Sequence, residues 1–123
     1  MTRFYLVFSA AGLSVIALSY GVAPATVLPI PLSLTVGGTD LTHIFRAIMG
    51  LYLGMGVLWI LGALRSNLAR AAVLSEVAFM FGLAGGRVIS LFIDGVPSIL
   101  LIVYLVLEIA MGTWGLFILP KVR

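Results

Sequence analysis

The sequence predicts an all-α fold, an integral membrane bundle of four antiparallel helices with both termini cytoplasmic. Composition is the first reason: of 123 residues 63% are hydrophobic and 9% charged, and the mean hydropathy is +1.28, whereas about a quarter of a soluble domain is charged. Segmentation is the second, because the apolar residues fall into four runs near the ~20 residues that cross a bilayer. Charge placement is the third. Outside the runs, Lys and Arg occur at 3, 65, 70, 121 and 123, and the opposite loops offer only Asp40 and Asp94, the bias that keeps basic loops on the cytoplasmic side. The chain is expected to be a single membrane domain, 1–123, with spans at about 4–22, 41–64, 71–93 and 99–119 and an outer loop at 23–40.

The first span runs uncharged from Phe4 to Val22 behind Arg3. Ala23-Pro24-Ala25 also resembles a signal-cleavage site, but the apolar run exceeds the 7 to 15 residues of a signal h-region, roughly stated, and an uncleaved span is the reading adopted. Ala10, Ser14, Ala17 and Gly21 form a small-residue stripe suited to close helix packing. Pro24, Pro29, Pro31, Gly37 and Gly38 then stop the helix. Leu28, Ile30, Leu32, Leu34 and Val36 alternate with other residues, which predicts an extended segment on the membrane surface or across the mouth of the bundle. Thr39 or Asp40 is placed to cap the second span.

Span two carries His43 and Arg46, then Gly50, Gly54 and Gly56; glycines four apart admit a close second backbone. The basic stretch 65–70 is a short hairpin loop. Span three contains Glu76 and Arg87 with Gly82, Gly85 and Gly86, and span four contains Tyr104, Glu108 and Gly112. Gly95 can end span three, and Ser98 can cap span four. Gly50, Gly54, Gly82, Gly86 and Gly112 are the helix-packing candidates. Tyr5, Trp59 and Trp114 are expected in the cytoplasmic interface and Tyr20 in the outer one.

At a rise of about 1.5 Å per residue, Arg46 lies about 9 Å below Asp40, Arg87 about 10 Å below Asp94 and Glu108 about 15 Å below Ser98. Helical side chains lean toward their own N-terminus. Arg87 therefore leans toward the bilayer centre, Glu108 on the next helix leans back toward the outer face, and the two converge. Arg46 can snorkel to the outer interface or join the pair. Glu76, about 9 Å from Arg70, is expected to stay near water.

Two readings of these charges stay open. In one, His43, Arg46, Arg87, Tyr104 and Glu108 bind an anionic lipid, an anionic small molecule or a protonatable ligand, with Glu108 the better and Glu76 the poorer proton carrier. In the other, the pair is a packing device that fixes the fold.

With a net charge of +3 and pI ≈ 9.8, nucleic acid is a conceivable partner, but the basic residues sit at span ends or inside spans and none is expected. One His and no Cys exclude thiol redox chemistry and a bis-histidine haem or structural zinc site, so no metal and no cofactor is expected. No nucleophile elbow, phosphate loop or dinucleotide fingerprint occurs, and an enzyme is the least favoured class. The leading expectation is a non-enzymatic component that binds partner helices, its own or another subunit's, or lipids. A small transporter or ligand-binding bundle is the alternative.

At His-Ile-Phe-Arg-Ala-Ile-Met-Gly-Leu-Tyr-Leu-Gly (43–54) and Gly-Arg-Val-Ile-Ser-Leu-Phe-Ile-Asp-Gly-Val-Pro (86–97), the chain resembles a family of small uncharacterised bacterial four-span proteins classed as a domain of unknown function. A looser similarity links it to DoxX-like membrane proteins. The resemblance covers most of the chain and implies a bacterial inner-membrane location and four helices. It implies no activity.

Overall fold

The computed structural model describes residues 1–32 and 34–123. Four long helices, α1 (Thr2–Gly21), α3 (Thr39–Leu64), α4 (Ser66–Ile93) and α5 (Ile99–Ile118), are joined by short connections, with a four-residue α2 (Pro24–Val27) after α1 and a 3₁₀ turn (Leu119–Lys121) after α5. Among the described residues there is no strand. All four long helices are long and apolar enough to cross a membrane, which is what a multi-pass membrane protein requires. Helices satisfy their own backbone groups, the condition that hydrocarbon imposes on any spanning segment. Phe4, Phe92, Ile99 and Phe117 are more than 60% exposed, a liability in water and an ordinary surface toward lipid.

The helices meet in order along the chain. The small-residue stripe of α1 packs on α3: Gly21 lies against Met49, Ser14 against Gly56, and Leu6 against Gly62. Arg3 at the start of α1 donates from Nε to the carbonyl of Ala63, at 3.0 Å. Between α3 and α4, Trp59 is fully buried. Its indole Nε1 donates to Ser75 Oγ at 3.1 Å, and its ring stands edge-on to Phe79 with centroids 5.6 Å apart. Gly62 sits where a Cβ would collide with Ala72, so its missing side chain sets how closely α3 and α4 approach. On α5, Gly112 and Gly115 make room for Phe81, Val77 and Tyr5. The Tyr5 hydroxyl ties α1 to α5 by donating to the Met111 carbonyl at 2.9 Å.

Several local expectations need correction. The 65–70 loop shrinks to Arg65 alone, extended at φ −125°, ψ 115°, because Ser66 and Asn67 open a helix that nothing interrupts. The 28–32 stretch is not extended. Leu28 and Leu32 donate backbone bonds to Pro24 and Leu28, since prolines at 24, 29 and 31 suit helical turns as well as extended chain. Leu28 and Val36 are nonetheless buried and Ile30 is 83% exposed, so the segment covers one end of the bundle with part of the alternating set. Residue 33, within the 28–36 segment expected to be extended, lies outside the described residues. Neither Thr39 nor Asp40 caps α3; Gly38 occupies the cap position at φ 81°, a left-handed conformation open to glycine. Gly95 does end α4, at φ 94°. Of the four belt aromatics, Tyr5 and Trp59 are 0% and Tyr20 is 8% exposed, so these three turn into the bundle. Tyr5 fills the space that Gly115 leaves open, Tyr20 packs against Phe45 and Tyr52, and Trp59 against Phe79.

Candidate functional site

The inward stripe of α4 repeats at Val73, Val77, Met80 and Ala84, all buried, and Arg87 is the next residue on it at helical spacing. The inward stripe of α5 runs through Glu108, Gly112, Gly115 and Ile118, with Tyr104 one turn before Glu108. The two stripes bring the charges together. Arg87 Nε donates to Glu108 Oε1 and Oε2, each at 3.0 Å, with the side chains 23% and 8% exposed. Tyr104 adds its ring, whose centroid lies 5.8 Å from Arg87 Cζ, within the range of cation–π attraction.

The pair forms part of the wall of a cavity of about 160 Å³. Its other walls are largely apolar, from Leu13, Ile16, Met80 and Leu83 among others, with the polar groups of Ser9, Tyr52 and Tyr104. Phe8 and Gly12 on α1 and Leu107 on α5 line it as well, and all three are exposed, so it opens sideways between α1 and α5. A smaller cavity of about 80 Å³ lies toward the 94–98 turn, lined by Ser90, Gly95 and Pro97, and Arg87 lines both. An apolar cavity of about 150 Å³ is large enough for a benzene-sized molecule. The arrangement can therefore hold a small apolar body with one hydrogen-bonding group turned to the pair.

The chain's affiliation follows from its sequence. Residues 1–119 match the model of a domain of unknown function, DUF4345. The chain belongs to this family. Neither a curated protein nor a solved structure matches it.

Within this DUF4345 chain, the candidates divide. Arg87, Tyr104 and Glu108 come together at one cavity. His43 and Arg46 are exposed on α3 and do not line it; there Arg87 faces one carboxylate and is matched by it. Glu76 is not near water. It is 0% exposed, because it lies on the face of α4 that turns to Ser9 and Tyr5 of α1. Gly50, Gly54, Gly82 and Gly86 have open space where a side chain would stand, and only Gly112 of the expected set packs within the chain. Gly21, Gly62 and Gly115 do the packing instead.

Two site residues escape the sequence reading. Tyr52 lies on the inward stripe of α3 with Gly56 and Trp59, a spacing visible in the sequence. Ser9 lies three residues after Leu6 and four before Leu13, both buried. A serine on an apolar stripe is the signal that could have found it.

Proposed function

We propose that this chain is an inner-membrane four-helix antiparallel bundle that binds a small molecule with an apolar body and one uncharged hydrogen-bonding group. One observation carries the reading: the Arg87–Glu108 pair stands in the wall of an apolar cavity of about 160 Å³, not in a sealed contact. An ion pair inside a membrane protein favours faces turned to a partner or a cavity, and pockets with few convergent polar groups are typical ligand sites. Because the pair is internally neutral, a polar but uncharged group suits it better than an anion. The orientation with both termini cytoplasmic rests on Arg3 meeting Ala63 and Arg70 meeting Leu119 and Val122, which gathers the basic ends opposite Asp40 and Asp94.

The test uses Gly12, which lines the cavity and has nothing within 4 Å of the place where a Cβ would stand. Gly12→Leu adds an apolar side chain to the cavity lining, starting from a Cβ that meets nothing. Phenol, a ring with one hydroxyl, should raise the melting temperature of the wild-type protein in mild detergent and leave Gly12→Leu unchanged. Mass spectrometry of natively purified protein should find a small apolar molecule with the wild type and not with the variant. Equal behaviour of the two proteins in both measurements defeats the reading.

A second reading has its own observation. Gly50 and Gly54 face outward from α3 and Gly82 and Gly86 from α4, smooth surfaces on which a partner helix, from a second copy or another subunit, could pack closely. Size measurement in detergent of Gly50→Leu tests it, since lost association in that variant is the outcome it requires.

A further inference from the structure

The second buried carboxylate, Glu76, takes no part in either of the functions proposed above. It is fully buried, and among the described residues neither of its oxygens has a hydrogen-bond partner. The arginines of α1 and α4 are committed elsewhere. Arg87 is held by Glu108, Arg3 donates to Ala63, and Arg70 donates to the carbonyls of Leu119 and Val122. A buried charge without a counter-charge or hydrogen bonds is unfavourable in an apolar interior, so charge balance at Glu76 calls for a mobile cation. The simplest is a proton.

The surroundings are suited to moving one. The hydroxyls of Ser9 and Tyr5 on α1 face the carboxyl. Tyr5 is the titratable group among them, and its hydroxyl is directed to the Met111 carbonyl. Neither α3 between Tyr52 and Arg65 nor α5 between Glu108 and Lys121 carries a titratable side chain. Ser9 Oγ is buried and, like Glu76, has no hydrogen-bond partner among the described residues. Ser14, Ser19, Ser75 and Thr113 instead return their hydroxyls to carbonyls of their own helices, the usual resort of such groups in helices. Ser9 also lines the cavity that holds the Arg87–Glu108 pair. It thus stands between an isolated carboxyl and the cavity.

We propose that Glu76 is a proton-binding site of the bundle and that Ser9 passes its proton to and from the Arg87–Glu108 cavity. Once the Ser9 hydroxyl and the carboxyl close to hydrogen-bonding distance, the O–H bond of the Glu76 acid breaks as its proton goes to Ser9 Oγ. Ser9 in turn releases its own hydroxyl proton to water in the cavity, which becomes hydronium, leaving Glu76 a carboxylate and Ser9 a neutral alcohol. The site stands apart from any ligand in that cavity and needs none.

Glu76 and Glu108 are the chain's two glutamates, which makes an isotopic test direct. Protein carrying ¹³C-carboxyl glutamate is titrated in detergent by infrared spectroscopy, with circular dichroism recording that it stays folded. A labelled carboxylic-acid carbonyl band should appear and disappear reversibly with pH, vanish in Glu76→Gln and persist in Glu108→Gln. If Glu76→Gln does not fold, Glu108→Gln still reads the site, since Glu76 is then the single labelled side chain. In Ser9→Ala the shift of that band on transfer to D₂O should lose its fast phase. A Glu76 that never gains or loses a proton in the folded protein overturns the proposal, and so does unchanged deuterium exchange in Ser9→Ala.

Discussion

Arg87 bridges the Glu108 carboxylate through a single nitrogen, its Nε lying 3.0 Å from each carboxylate oxygen. The contact joins α4 and α5 across a sequence separation of 21 residues, beyond the 94–98 turn, and it matches the depth and lean of both side chains.

Removing either partner strands the other. Glu108→Gln and Arg87→Met should each destabilise the protein by about 3 kcal/mol, the lower end of the range for breaking buried pairs because Arg87 keeps some exposure. The double variant should recover much of that loss, since it leaves no unmatched charge. Thermal unfolding of the three variants in detergent provides the comparison, and additive losses would contradict the pairing energetics.

Ser75→Ala should leave the buried Trp59 indole N–H without its acceptor, a loss of about 1–3 kcal/mol. Unfolding followed by tryptophan fluorescence reads it. Ser75→Thr, which keeps the hydroxyl, should lose less.

The glycines of α3 should separate into two classes. Gly62→Leu forces a side chain into Ala72 and Leu68 and should cost about 1–3 kcal/mol through overpacking. At Gly50 a Cβ has nothing within 4 Å, and Gly50→Leu should change monomer stability by no more than about 0.5 kcal/mol. Chemical denaturation of both variants checks the contrast.

Arg46→Met should leave stability within about 0.5 kcal/mol of the wild type and leave the phenol-induced shift in melting temperature intact, because Arg46 is exposed and outside the cavity. A diminished phenol shift in this variant would return Arg46 to the site.

What the sequence discloses here is what depends on one helix at a time. Span number follows from apolar run length, and the meeting of Arg87 with Glu108 follows from two depths and two directions of lean. Glu76 is harder, because its burial depends on α1 lying over it, and that is not written near residue 76. The glycines show the same limit. A run such as Gly50 and Gly54 announces a smooth helix face, but which face a neighbour covers is decided by the other three helices. Ser9 is legible only as a polar residue out of place on an apolar stripe, a signal that acquires meaning once the cavity beside it is known.

The sideways mouth between Phe8, Gly12 and Leu107 bears on how any occupant would be supplied. A molecule arriving through it comes from the hydrocarbon phase, so occupancy follows its mole fraction among the lipids and not its aqueous concentration. Affinities measured at different lipid or detergent amounts would then disagree when expressed per litre of buffer and coincide when expressed per mole of amphiphile. A weakly soluble compound, concentrated by partitioning, could saturate the cavity at bulk levels too low to measure.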